Sequence, residues 1–551
     1  MQLTGKSIIG QRQSEKSLGR AFRAVNPKTG ERIAPDFYSA THDEVDAAAN
    51  LAEAAFAEWS HAKGKTKAAF LRKAAENIEA LGDDLVNRAS EETALPAPRV
   101  KGEAARTCFQ LRMFADLVEE GSWVGARIDQ SDPGRTPLPK PDMRSLWRPL
   151  GPVLVFGASN FPLAYSVAGG DTASAFAAGN PVIVKAHPAH PGTAEMVGQA
   201  IRDAARQCRA PEGIFSLLFD AGIEVGLDLA KHPKIKAIGF TGSKDGGRAL
   251  MDAAAARPEP IPVYAEMGSI NPVFILPGAM RERGAEIAKG LHASVTGSAG
   301  QFCTKPGIVV TATDGENAAA TRAFTESFQS LMDASGDFTL LTSRIHEAYL
   351  ANTKARAALQ SGGSGAKASA AANASSGASA GSGFHVGPAV FETTAAALAQ
   401  QPALHSEIFG PATMLVRYSS REELLAAARS LEGHLTATIH ATEQDLREHT
   451  DLLAILECRV GRLIYNGFPT GLEVCHAVVH GGPYPSTSDG RTTSVGSRAI
   501  HRFARLVCYQ NFPASALPDE LKDENPLGIW RMVDGQQTRD AVRSKARAIS
   551  K

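Results

Sequence analysis

Between residues 151 and 256 the chain alternates short apolar runs with amphipathic stretches, and this rhythm limits the architectures open to it more than any other feature. Gly151-Pro-Val-Leu-Val-Phe-Gly157 is a continuous apolar run closed by turn residues, the pattern of a strand buried on both faces. Residues 181–185 and 237–240 repeat it, and helical spacing fills 193–206 and 246–256. Strands separated by helices pair in parallel, because the crossover needs the length of a helix, and the helices then cover both faces. The expected class is α/β, with a doubly wound sheet at its centre.

At 551 residues the chain exceeds one ordinary core, so several domains are expected. Upstream, Asn26-Pro27-Lys28-Thr29-Gly30 reads as a turn between short strands. Thr41 and Glu44 form a capping-box signature that opens a helix, and further helices are expected over 65–78, 83–92 and 102–119. Residues 122–148 lose helical periodicity and carry prolines at 133, 137, 139 and 141, as in an extended arm or hairpin. A second lobe starts near Glu266, with strands over 272–276, 307–311, 415–418 and 436–440 and helices over 279–294 and 420–431. Residues 505–509 read as an edge or intersubunit strand. The expected division is 1–121 with 149–265, then 266–490, an arm of 122–148 with 491–515, and a C-terminal extension over 516–551. Residues 361–382, almost wholly Gly, Ser and Ala, read as a flexible insertion without catalytic role.

Charge narrows the functions. Lys plus Arg and Asp plus Glu both number 58, so no overall field favours nucleic acid or an acidic membrane. The six cysteines have no metal-type spacing and suit free thiols in a reducing compartment. The first twenty residues lack an apolar signal core, and no run is long enough to span a bilayer. A cytoplasmic enzyme without a membrane or nucleic-acid partner is expected.

One thiol stands out. Cys303 lies in Gly300-Gln301-Phe302-Cys303-Thr304-Lys305-Pro306, where glycines at 297, 300 and 307 and Pro306 imply a constrained, irregular backbone. A lone cysteine is ordinarily a small core hydrophobe. Here it occurs in order with Ala158-Ser159-Asn160-Phe161-Pro162, Phe240-Thr241-Gly242-Ser243, Glu266-Met267-Gly268 and Glu407-Ile408-Phe409-Gly410-Pro411. Together these resemble the aldehyde dehydrogenase superfamily over residues 20–515. The stretches 467–476 and 480–485 further resemble its NADP-preferring branch, which includes α-ketoglutarate semialdehyde (2,5-dioxopentanoate) dehydrogenases.

The resemblance implies a Rossmann-like cofactor domain, an α/β catalytic domain and a small oligomerisation arm, assembled as a homodimer or homotetramer. It implies Cys303 as nucleophile, since an aldehyde surrenders hydride readily only after a nucleophile has made its carbon tetrahedral. It assigns the Asn160 amide and the Cys303 N–H to the oxyanion, and Glu266 to the water that hydrolyses the thioester. Glu266 also separates this chain from relatives that hand the acyl group to coenzyme A. No metal is implied.

For the cofactor, the resemblance places Lys185 on the adenosine ribose, Gly242 and Ser243 near the pyrophosphate, Glu407 on the nicotinamide ribose and Phe409 by its ring. NAD-preferring members place Glu three residues after the lysine, where this chain has Pro188. Without that carboxylate, NADP is expected to be accepted and preferred, with NAD as the other cofactor. His187 and His190 in the same turn read as surface residues rather than metal ligands. A carboxylate-bearing substrate asks for arginine, and Arg112 and Arg491 are the candidates by position.

The leading expectation is oxidation of 2,5-dioxopentanoate to 2-oxoglutarate, with a medium- or long-chain aldehyde dehydrogenase as runner-up. A different class, a cysteine hydrolase or acyltransferase pairing Cys303 with His292 or His476 and using no dinucleotide, does not account for Asn160, Lys185 and Glu407 together. A third, a catalytically dead relative, is disfavoured because Cys303, Glu266 and Asn160 are all present.

Overall fold

The computed structural model of the chain describes residues 2–14, 19–361 and 383–543. Residues 362–382, nearly all of the Gly/Ser/Ala-rich stretch, lie outside them. The alternating segment forms a sheet in the order Val263–Glu266, Ala237–Thr241, Val153–Phe156, Val182–Lys185, Phe215–Leu218, all parallel. Antiparallel strands Ile8–Ile9 and Arg12–Gln13 extend it at the far edge. The chain begins at the central strand, builds outward through Phe215–Leu218, then crosses back to the other side, which makes the ends of Val153–Phe156 and Ala237–Thr241 a topological switch point.

Helices Gly64–Glu79, Ala97–Glu120 and Pro191–Gln207 lie together on one face of this sheet, around an aromatic core of Trp59, Phe70, Phe176 and Phe215. Helix His42–Trp59 begins with the expected capping box, Thr41 exchanging hydrogen bonds with Glu44. Helix Gly170–Ala178 was not legible beforehand: all but one of its residues are buried, so no amphipathic period marks it.

A second, wholly parallel sheet runs Ala389–Thr394, Ala412–Tyr418, Ile308–Ala312, Val273–Ile275, His434–His440, Val460–Tyr465. A third sheet pairs Ala504–Gln510 with Met143–Pro149 and Met143–Pro149 with Arg127–Asp129, so residues 122–148 form a hairpin closed by the late strand. Residues 516–543 do not stand apart as an extension. Arg531–Val533 adds to Arg127–Asp129, Gln536–Thr538 follows, and buried Leu517, Leu521 and Ile529 pack against Ile128 and Leu146. No helix among the described residues is long and apolar enough to cross a membrane.

Candidate active site

The two parallel sheets meet end to end. The cofactor-type sheet offers the carboxyl ends of its strands: Asn160 follows Val153–Phe156, Lys185 ends Val182–Lys185, Gly242-Ser243 follows Ala237–Thr241, and Glu266 ends Val263–Glu266. The second sheet offers amino ends, with Cys303 leading into Ile308–Ala312 and Glu407 into Ala412–Tyr418. Those two strands are neighbours in register, Ile308 opposite Met414, so the thiol loop and the Glu407 loop lie against each other.

The thiol loop is held under strain. After helix Pro277–Thr296, Ser298, Ala299 and Gly300 all take left-handed backbone angles, φ +50°, +58° and +67°. Each non-glycine there costs roughly 1–2 kcal/mol. At Gly300 a Cβ would lie 2.2 Å from the Gly410 carbonyl oxygen. Arg99 Nε donates to Ser298 Oγ at 2.7 Å, and the Asn271 amide donates to the carbonyls of Cys303 and Lys305 at 2.8 and 3.1 Å. Lys305, fully buried, donates to the Ile408 and Ala412 carbonyls, tying the two loops together. Burial brings its pKa down to about 8.

Beside Cys303 the structure assembles a buried cluster. Asn160 Nδ2 donates to the Gln301 carbonyl at 2.9 Å, which fixes the amide next to the thiol loop and leaves its second hydrogen unused by that bond. Glu266 accepts from Ser494 Oγ at 2.9 Å, and its other oxygen lies 3.0 Å from His480 Nε2, which is 3.5 Å from Cys303 Sγ. His480 Nδ1 is buried without a partner, so the ring hydrogen is best placed on Nε2, donating to Glu266.

Burial pushes the Glu266 carboxyl up, but its interaction with His480, together with hydrogen bonds from Ser494 and Cys303, outweighs burial and holds its pKa below the ordinary value. Burial pushes the Cys303 thiol well up, reinforced by Glu266 and opposed by Arg106. The resting pair is therefore a thiol beside a carboxylate, poised for the proton to pass from sulfur to oxygen as the sulfur attacks. Ligand-type atoms of Cys303, Glu266 and His480 lie within 4.8 Å of one another, close enough to share a metal ion, but their mutual hydrogen bonds already account for the grouping.

His480 was missed because neither Gly-Gly-Pro context nor spacing marks it. Of the two histidines considered from sequence, His292 is hydrogen-bonded to Ser335 and His476 is exposed. The geometry corrects that pairing.

The residues expected around a dinucleotide sit at the strand ends described above. Lys185 is mostly buried, and burial lowers its pKa against Asp220 and Glu224, which leaves an ammonium suited to hydroxyl acceptors. Ser243 caps helix Lys244–Ala255 through Gly246 N, and a Cβ at Gly247 would meet the Met267 side chain, so the helix N-terminus packs close to the sheet. Glu407 presses against Gly268, where a Cβ would lie 2.5 Å from its carboxylate, and burial pushes its pKa up to about 7. Phe409 and Pro188 are half-buried in their loops. A buried lysine, a half-buried carboxylate and a helix N-terminus at these strand ends fit a dinucleotide.

His190 is not a surface residue: it is fully buried and its Nε2 contacts the Ala158 carbonyl at 2.8 Å, while His187 stacks on it at 5.5 Å. Its position under the Asn160 loop explains this. The two arginines expected at the substrate are also corrected. Arg112 makes a bidentate pair with Glu79, and Arg491 pairs with Asp489 with its side chain 89% exposed. The helix that carries Arg112 turns other arginines, Arg99 and Arg106, toward Phe161, Phe302 and Tyr165 beside the thiol.

A strained cysteine loop facing a carboxylate across the carboxyl ends of a doubly wound sheet defines a class, and the comparisons agree. The profile of the aldehyde dehydrogenase family matches residues 13–505, and the chain belongs to that family, whose members use NAD(P) to oxidise small aldehydes and are typically oligomeric. Among individual proteins it is similar to alpha-ketoglutaric semialdehyde dehydrogenase 2 of Azospirillum brasilense, 47% identical over 97% of this chain and 100% of the relative. It is also similar to alpha-ketoglutaric semialdehyde dehydrogenase of Acinetobacter baylyi, 43% identical over 97% of this chain and 99% of the relative. In fold it resembles the solved gamma-glutamyl-gamma-aminobutyraldehyde dehydrogenase of Burkholderia cenocepacia, with TM-score 0.78 and 22% identity over 93% of this chain and 97% of that one. The protein is an oxidoreductase acting on aldehydes.

Proposed function

We propose that the chain is a non-acylating, NADP-preferring dehydrogenase that oxidises 2,5-dioxopentanoate to 2-oxoglutarate. The observation that carries the non-acylating reading is the buried Glu266 carboxylate, kept ionised by His480 and Ser494 and placed beside Cys303. The substrate reading rests on the two full-length relatives named for that semialdehyde.

Cys303 adds to the aldehyde carbon while its proton passes to Glu266. The oxygen of the resulting thiohemiacetal takes hydrogen bonds from the Asn160 amide and the Cys303 N–H. When bound, a nicotinamide would accept the hydride, and Cys303 would then carry the acyl group as a thioester. Glu266 passes the first proton to solvent and then draws one from water, which attacks the thioester carbon; the acid is released with the sulfur as leaving group, and Glu266 returns the proton to the sulfur to restore the thiol. Lys185 and Glu407 would hold the two riboses of the dinucleotide, and Gly242 and Ser243 would border its pyrophosphate. NADP preference is supported by Pro188, which leaves no carboxylate at that position to repel a 2′-phosphate. The assembly is read as a dimer or tetramer in the cytoplasm.

Initial rates with 2,5-dioxopentanoate, succinic semialdehyde, glutaraldehyde and decanal, each with NAD and NADP, test the reading. 2,5-Dioxopentanoate with NADP is expected to give the highest kcat/KM. A higher value for decanal would overturn the substrate, and a higher value with NAD the cofactor preference.

A further inference from the structure

Helix Ala97–Glu120 sends two arginines to the thiol side, and they are treated differently. Arg99 is satisfied: it pairs with Glu103 and donates to Ser298 Oγ and the Asn160 carbonyl. Both oxygens of Glu103 are engaged, because the one not paired with Arg99 accepts the N–H groups of Leu163 and Ala164. Arg106 lies over the Tyr165 and Phe161 rings at 5.3 and 5.8 Å, and among the described residues its one hydrogen-bond acceptor is the Tyr165 hydroxyl, at 3.1 Å. Its Nε is buried without a partner.

A second such group comes from the other sheet. Arg462, on strand Val460–Tyr465, donates to the Pro469 carbonyl at 2.9 Å, and its Nε too is buried without a partner. Its neighbour Gly461 packs on the Gly481 carbonyl, next to His480, which brings this strand against the catalytic cluster. Among the described residues neither Arg106 nor Arg462 forms an ion pair with a carboxylate. Tyr165 connects them to the thiol, its ring 6.0 Å from that of His480. The electrostatics agree: burial lowers the Arg462 pKa while Cys303 and Tyr165 raise it, and Arg106 lowers that of Cys303 after burial and Glu266 have raised it. Two guanidiniums with buried, unmet donors, converging on one nucleophile from different domains, carry a cost that an anion relieves.

We propose that Arg106 and Arg462 bind the carboxylate of the substrate, making the site selective for short aldehydes with an acid at the far end. This rests on the functional reading above and extends it to the residues that set specificity.

The test is the ratio of kcat/KM for 2,5-dioxopentanoate over pentanal, in the wild type and in Arg106→Met, Arg462→Met and the corresponding lysine variants. Each methionine variant is expected to lower the ratio by on the order of 10²-fold, mostly through KM, with lysine recovering part of it. Alkylation of Cys303 without cofactor gives a second readout. The rate of iodoacetate relative to iodoacetamide is expected to fall in both methionine variants, which a loss of folding alone does not produce. A wild-type ratio near one would overturn the functional reading. A high wild-type ratio that survives in both methionine variants, or an unchanged alkylation preference, overturns the assignment of the arginines and leaves the function standing.

Discussion

At the scale of residues, the site is a negotiation over one proton. Cys303 and Glu266 were recognisable from their motifs, but His480 was not, because what makes it matter is its distance to both. Its hydrogen bond and field lower the Glu266 pKa, so removing the ring must raise it. In His480→Phe the acid limb of the kcat–pH profile is expected to move to higher pH, and steady-state rates across pH 4 to 8 check it. The same depressed pKa stabilises the fold above the ordinary carboxylate range, and that contribution is lost as pH falls through the lowered value. Glu266→Gln, which removes both the acceptor for the Cys303 proton and the base for water, is expected to slow the burst of reduced cofactor and to lower kcat by about 10²–10⁴-fold, both seen by stopped-flow absorbance. Since Glu266 also raises the Cys303 pKa, the alkylation profile of that variant is expected to shift to lower pH. Asn160→Ala is expected to lower kcat by about 10²–10³-fold, measured under saturating aldehyde.

Among elements, legibility followed periodicity. The helix opened by Thr41 could be read because its buried alanines recur at helical spacing and its cap is local. Helix Gly170–Ala178 and strand Phe215–Leu218 could not, one lacking a polar face and the other too short to show alternation. The turn at Ser298–Gly300 was anticipated only as irregular backbone. Its left-handed angles depend on Arg99, Asn271 and Gly410, which come from three separate segments. Gly300→Ala combines a positive φ with a backbone clash, so it is expected to destabilise the fold by about 2 kcal/mol or more and to reduce Cys303 reactivity. Denaturant melts and the rate of thiol alkylation measure both.

For the whole molecule, we propose that assembly uses the arm. Ala504–Gln510 is an edge strand, with Leu506 59% exposed and Phe512 half-exposed just beyond it. Val507→Pro with Leu506→Asp is expected to lower the oligomeric state, as light scattering would report. The alternation of strand and helix by itself determined a doubly wound α/β chain, because hydrophobic period and local turn chemistry are properties of short segments, and five ordered motifs carried the family resemblance that points to Cys303 as nucleophile. Which arginines lack a carboxylate, which histidine reaches the thiol, and how residues 516–543 finish the arm were decided only by the tertiary structure. Those facts turn on contacts between segments hundreds of residues apart, where burial and the saturation of one partner by another leave no local pattern to read.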